Sequence, residues 1–131
     1  MTTLIAQADE KTSIKYKNLW DNLKSLEQEK EKANDCFKKG DYDGAINLYT
    51  KLLEIDSSNK SFESTILANR ALCLQKKNLL FDALTDLNNS IQLNENYWKA
   101  FYRRATIYIT LKNAEKAKED LQRVIKLDSS K

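Results

Sequence analysis

The stretch Lys51-Leu52-Leu53-Glu54-Ile55-Asp56-Ser57-Ser58 returns twice along the chain, as Ser90-Ile91-Gln92-Leu93-Asn94-Glu95 and as Val124-Ile125-Lys126-Leu127-Asp128-Ser129-Ser130. Upstream of these copies stand Ala45, Ala83 and Ala117, and a further alanine lies 12 residues before each, at Ala33, Ala71 and Ala105. The offset is 38 residues between the first two copies and 34 between the last two. Self-similarity at such a period marks a repeat architecture in which each unit buries its apolar face on its neighbours. Small residues at this spacing sit on two consecutive helices where the backbones approach closely.

Larger apolar residues flank the alanines at helical spacing: Phe37, Tyr42, Ile46, Tyr49 and Leu53 in the first copy. Leu67, Leu74, Leu80, Leu84 and Leu87 follow in the second, and Phe101, Tyr108, Leu111, Leu121 and Val124 in the third. Each copy therefore reads as helix, turn, helix. Gly40-Asp41, Lys77-Asn78 and Lys112-Asn113 supply the turns. Asp56-Ser57-Ser58-Asn59 and Asn94-Glu95-Asn96 break the chain between copies. Upstream, Tyr16, Leu19, Trp20, Leu23 and Leu26 recur at helical spacing. The first repeat helix is expected to extend backwards through them, or a separate helix to cap the array, with residues 1–12 frayed.

Composition agrees. The 131 residues make one domain, 41% hydrophobic and 31% charged, with 2 glycines and no proline. A turn-rich β sandwich or barrel needs far more of both punctuators. No histidine is present, which removes Ser–His and Cys–His nucleophiles and His-ligated zinc. Cys36 and Cys73 are too few for a zinc site or a disulfide framework, and both fall near buried repeat positions, so inert thiols in a reducing, cytoplasmic setting are expected. The net charge of +3 is mild and interspersed, unlike the footprint of a nucleic-acid binder. No apolar run reaches membrane-spanning length, and Met1-Thr2-Thr3-Leu4-Ile5-Ala6 lacks the basic region of a secretory leader. Asp41, Asp43, Asp82 and Asp86 show no metal-loop pattern. No metal, cofactor or catalytic constellation is indicated.

A 34-residue helix–turn–helix unit of this pattern resembles the tetratricopeptide repeat (TPR). The departures are the prolines, replaced by Ser57, Glu95 and Ser129, and the first aromatic position of copy one, where Glu29 stands. The resemblance places repeats at about 26–59, 64–97 and 98–131, after an N-terminal extension over 1–25. It implies an all-α fold, a right-handed superhelix of three units. The four extra residues, Lys60 to Glu63, are expected to lengthen the end of the first repeat's second helix or its loop. Such arrays usually carry a further solvating helix at the C-terminal end. Without one after repeat three, the expectation is a continuation beyond Lys131, or an apolar edge that finds a partner, including weak self-association.

In this family the first helix of each unit lines a concave groove. Lys30 and Asn34 in copy one, Asn69 in copy two, and Lys99 and Arg103 in copy three match the two-carboxylate clamp of TPR co-chaperones. The resemblance implies a grip on the final Asp of the Glu-Glu-Val-Asp tail of heat-shock proteins 70 and 90. A C-terminal Asp presents two carboxylates. Lysines and an arginine supply charge-assisted bonds, and asparagines supply neutral donors that set orientation. Among 18 lysines and 12 asparagines a single match means little; five at preset positions form a pattern. Neighbouring groove positions are Leu72, Gln75, Lys76, Thr106 and Ile109, of which Leu72 and Ile109 would make an apolar pocket. The plainer reading of the groove is a general TPR scaffold for an internal peptide or client.

The resemblance is closest to the last TPR module of co-chaperones that carry TPRs followed by a J domain. It rests on the inserted residues and on Asn96-Tyr97-Trp98-Lys99-Ala100-Phe101-Tyr102-Arg103-Arg104-Ala105. A J domain needs a His-Pro-Asp loop, which this chain lacks; any in the parent protein would lie beyond Lys131. The same stretch interleaves aromatics with bases, but Phe101 and Ala105 are repeat-core positions, so no nucleic-acid partner is expected.

Overall fold

Helix-forming residues at period 3.6, punctuated by residues that tolerate a left-handed backbone, give helices joined by tight turns. A computed structural model describes residues 10–55 and 59–129. Among them the order is α1 (Glu10–Lys38), α2 (Tyr42–Glu54), α3 (Lys60–Lys76), α4 (Leu80–Leu93), α5 (Trp98–Thr110) and α6 (Ala114–Ser129). Consecutive helices pack on each other, and α3 also touches α5. The fold is all-α, with α1–α2, α3–α4 and α5–α6 as repeated helix–turn–helix units.

No break separates the N-terminal extension from the first repeat helix, since α1 runs unbroken for 29 residues. Of the start expected to fray, residues 10–12 form the first turn of α1, and residues 1–9 lie outside the described residues, as do Asp56 to Ser58 of the first inter-repeat break. The insertion is placed differently from the sequence expectation. Lys60 to Glu63 form the opening turn of α3, lengthening the first helix of repeat two rather than the end of repeat one. The cause is a cap: Asn59 Oδ1 accepts from the backbone N–H of Phe62 at 3.0 Å, which starts the helix there.

The turns inside the repeats share one device. Gly40, Asn78 and Lys112 occupy corresponding positions and have φ of 83°, 65° and 60°. Glycine adopts this region freely and asparagine tolerates it, but a lysine Cβ is crowded there. Lys112→Gly is therefore expected to raise stability by about 0.5–1 kcal/mol, read as a rise in thermal midpoint. No change or a fall would mean that the lysine relieves the strain by another contact.

All six repeat alanines are buried, at 0–3% exposure: Ala33, Ala45, Ala71, Ala83, Ala105 and Ala117. Around them Tyr49, Ile66, Leu87 and Ile107 are fully buried, and each such large apolar side chain contributes about 1.5–3 kcal/mol of transfer free energy. Buried polar groups tie the helices in register. Ser64 Oγ donates to the Ser90 carbonyl at 2.8 Å and Ser90 Oγ to the Ser64 carbonyl at 2.7 Å, joining α3 to α4. Arg70 on α3 makes a bidentate pair with Asp86 on α4, at 2.8 and 2.7 Å, and donates to Thr50 Oγ1 on α2 at 3.2 Å. Thirty-four residues later the device repeats: Arg104 pairs with Asp120 at 2.9 and 2.7 Å and donates to Asn88 on α4 at 2.9 Å. Each arginine thus joins its own repeat and locks it to the one before. By contrast Tyr16, Leu19, Trp20 and Leu23, along the first half of α1, are 51–66% exposed; Leu26 is the first of that stripe to meet the core.

Candidate functional site

Side chains from α1, α3 and α5, the first helices of the three repeats, converge on one cavity of about 490 Å³. Lys30, Asn34, Asn69, Lys99 and Arg103 all line it. Their spacing on each helix explains the convergence: positions four apart, Lys30 with Asn34 and Lys99 with Arg103, stack one turn above the other on a shared face. A second cavity of about 760 Å³ adjoins it, sharing Leu72, Lys99 and Arg103. It is lined by Gln75, Lys76 and Thr106 together with Trp98 and Tyr102. Gln75 Nε2 donates to Thr106 Oγ1 at 3.1 Å across its floor. Ile109 is 58% exposed and lies outside the linings of both cavities.

Charge is distributed unevenly over the site. Burial lowers the Arg103 pKa, and the nearby Tyr97, Tyr49 and Cys73 oppose that shift; a guanidinium remains cationic at neutral pH regardless. Arg70 and Arg104 each hold a buried aspartate, whereas Arg103 has no ion pair with a carboxylate among the described residues. Its Nη1 donates to Asn69 Oδ1 at 3.2 Å. Lys30 pairs with Glu27 at 3.2 Å, a partner that is 59% exposed, so this bond is weak and easily exchanged. Lys30 also lies 5.9 Å from the Phe62 ring and Lys99 6.0 Å from the Trp98 ring, contacts that steady flexible stems. One carboxylate, Glu31, shares the lining.

Sequence periodicity placed Tyr49 in the apolar core and missed its second role. The side chain comes from α2, is 2% exposed and closes the bottom of the smaller cavity. Its hydroxyl donates to Asn34 Oδ1. Burial pushes its pKa up to about 12. The only hint in the sequence was a hydroxyl at an otherwise apolar position.

Four cations, Lys38 being the fourth, and two amides around a cavity can hold an anion and fix its orientation. Among the described residues no group of three or more His, Cys, Asp or Glu could hold a metal ion, and no helix is long and apolar enough to cross a membrane.

The tetratricopeptide repeat family profile matches residues 24–59 and 99–131, together more than half the chain. DnaJ homolog subfamily C member 7 from Homo sapiens is 36% identical over 110 residues, 84% of this chain and 22% of that protein. RNA polymerase II-associated protein 3 from Xenopus laevis is 39% identical over 110 residues, 84% of this chain and 16% of that protein. The chain thus spans about a fifth of the length of such relatives. Among solved structures, the second TPR of Spaghetti (RPAP3) bound to HSP90 peptide SRMEEVD has a TM-score of 0.73 and 33% identity, covering 84% of this chain and 98% of that one. The second TPR domain of human RPAP3 in complex with HSP70 peptide SGPTIEEVD has a TM-score of 0.69 and 34% identity, covering 79% and 82%. The likeness is to non-catalytic interaction scaffolds, and with three helix–turn–helix units built around paired alanines the chain belongs to the tetratricopeptide repeat family.

Proposed function

We propose that this domain is a co-chaperone module that binds the C-terminal Glu-Glu-Val-Asp tail of heat-shock proteins 70, 90 or both through Lys30, Asn34, Asn69, Lys99 and Arg103. The observation that carries the reading is Arg103, a desolvated cation with no carboxylate partner among the described residues, held by Asn69 in a cavity shared with three lysines. Such a group is short of an anion, and a terminal Asp brings two. Lys99 and Arg103 hold one carboxylate by charge. Lys30, after leaving Glu27, holds the other with Asn34 and Asn69. The peptides in the two solved relatives end in the same EEVD. Upstream residues run into the larger cavity, where Leu72, Trp98 and Tyr102 offer apolar surface and Lys76 faces acidic side chains. A cytoplasmic location follows from such partners.

Calorimetric titration with acetyl-Met-Glu-Glu-Val-Asp as the free acid, beside its C-terminal amide, tests this. The free acid is expected to bind at roughly micromolar Kd, and the amide at least about tenfold more weakly, through loss of one charge-assisted bond. Equal binding of both forms would instead support a scaffold for internal peptides. Binding of neither, with concentration-dependent sedimentation, would point to self-association through the C-terminal edge.

A further inference from the structure

We infer that Tyr49 is a positioning residue of the clamp: its hydroxyl donates to Asn34 Oδ1 from the cavity floor and leaves Asn34 facing the ligand purely as a donor, as Arg103 does for Asn69. This rests on the carboxylate reading of the site and explains how its neutral members are oriented. An asparagine amide offers an acceptor and two donors at nearly equivalent positions. Turned one way it binds a carboxylate, and turned the other it repels one. Something other than the ligand must choose.

Here the choice is made from below. Arg103 can only donate, and its Nη1 bonds Asn69 Oδ1 at 3.2 Å. That contact occupies Asn69 Oδ1 and leaves its amide nitrogen as the donor. In the same way, the Tyr49 phenol uses its single proton on Asn34 Oδ1. Asn34 Oδ1 is thereby occupied at the cavity floor, and Nδ2 is left for the carboxylate. The tyrosine is 2% exposed and stands on α2, the helix behind the ligand-facing ones; it acts on the peptide through Asn34. Burial, which pushes its pKa up to about 12, keeps the phenol protonated at neutral pH.

Tyr49→Phe keeps the ring and removes the proton. With acetyl-Met-Glu-Glu-Val-Asp, this variant is expected to bind about fivefold to tenfold more weakly than wild type. On an Asn34→Ala background the same change is expected to cost less than about twofold, because the group it positions is gone. A second readout needs no peptide: the Asn34 side-chain amide gives a sharp NMR pair in the free wild type, which shifts and broadens in Tyr49→Phe. A third needs no variant: the Tyr49 hydroxyl proton exchanges slowly and shows a nuclear Overhauser contact to the Asn34 side-chain amide. Unchanged affinity in Tyr49→Phe, an equal loss on both backgrounds, an unmoved Asn34 pair or a fast-exchanging hydroxyl each overturns the proposal. Failure of wild type to bind the peptide overturns the clamp reading itself, and the two free-protein spectra then still decide the link between Tyr49 and Asn34.

Discussion

Asp86→Ala is expected to destabilise the domain by about 3 kcal/mol, lowering its thermal midpoint by roughly 10 °C for a chain of this size. The Asp86 side chain is 6% exposed and that of Arg70 22%. Removing the carboxylate leaves Arg70 Nε and Nη2 without their acceptors at the junction of α2, α3 and α4. The partial exposure of Arg70 lets water reach one side, which sets the value near the low end for a broken buried pair. Arg70→Leu with Asp86→Leu is expected to lose much less, since no charge stays buried alone. The bond to Asp86 raises the Arg70 pKa. A raised pKa means that this stabilisation is fully present below the unfolded guanidinium value, which lies far above neutral pH, and is lost only as pH climbs through the higher folded value. The difference between wild type and Asp86→Ala should therefore be the same at pH 6 and pH 9 on the arginine side. Asp120→Ala breaks the corresponding pair at the end of the array, so hydrogen exchange should show α6 loosening before the rest, as expected where each repeat leans only on its neighbours. Chemical denaturation followed by circular dichroism measures both variants. A loss below about 1 kcal/mol in Asp86→Ala would mean that Arg70 swings into solvent and that the pair does not lock the repeats.

Which features the sequence disclosed depends on how local their causes are. A helix crossing demands a small residue at a fixed spacing, so Ala33 and Ala45, Ala71 and Ala83, and Ala105 and Ala117 could be read directly, and all six are buried. Turns demand tolerance of positive φ, which pointed to Gly40-Asp41, Lys77-Asn78 and Lys112-Asn113. The extra residues from Lys60 to Glu63 were visible as a length, but which helix absorbs them is decided by Asn59 capping Phe62. Arg103 and Arg104 are adjacent and chemically identical, and a helix turns them about 100° apart. One reaches Asp120 and the other the cavity, a division that no composition count reveals. The Arg70–Asp86 pair was legible in principle, because both residues recur 34 positions later as Arg104 and Asp120. Tyr49 was not, because its apolar ring satisfies the core pattern whichever way its hydroxyl points. Of the groove residues, Lys30, Asn34, Asn69, Lys99 and Arg103 share one lining, and Leu72, Gln75, Lys76 and Thr106 line the adjoining cavity, while Ile109, one residue from Thr110 in that wall, turns outward.

Lys99→Ala with Arg103→Ala is expected to weaken binding of acetyl-Met-Glu-Glu-Val-Asp at least about 100-fold, two charge-assisted bonds at about 1.5–3 kcal/mol each. The single changes should be unequal. Lys99 is exposed, and its bond competes with water and falls with salt. Arg103 is desolvated and also holds Asn69, so its loss removes a charge and frees an amide at once. Arg103→Lys should not rescue, because an ammonium cannot hold Asn69 and a carboxylate in the same plane. Titration at low and high salt separates the two contributions: wild type should weaken steeply as salt rises, and the double variant hardly at all. Stability should move in the opposite direction. A desolvated guanidinium without a carboxylate partner among the described residues is a burden on the free domain, so Arg103→Leu, which keeps an apolar stem, is expected to match wild type or exceed it by up to about 1 kcal/mol. Stabilisation together with lost binding would mark Arg103 as a residue kept for its ligand. Destabilisation by several kcal/mol would instead make it a structural brace for α3 and α5, and the clamp reading would lose the observation on which it chiefly stands.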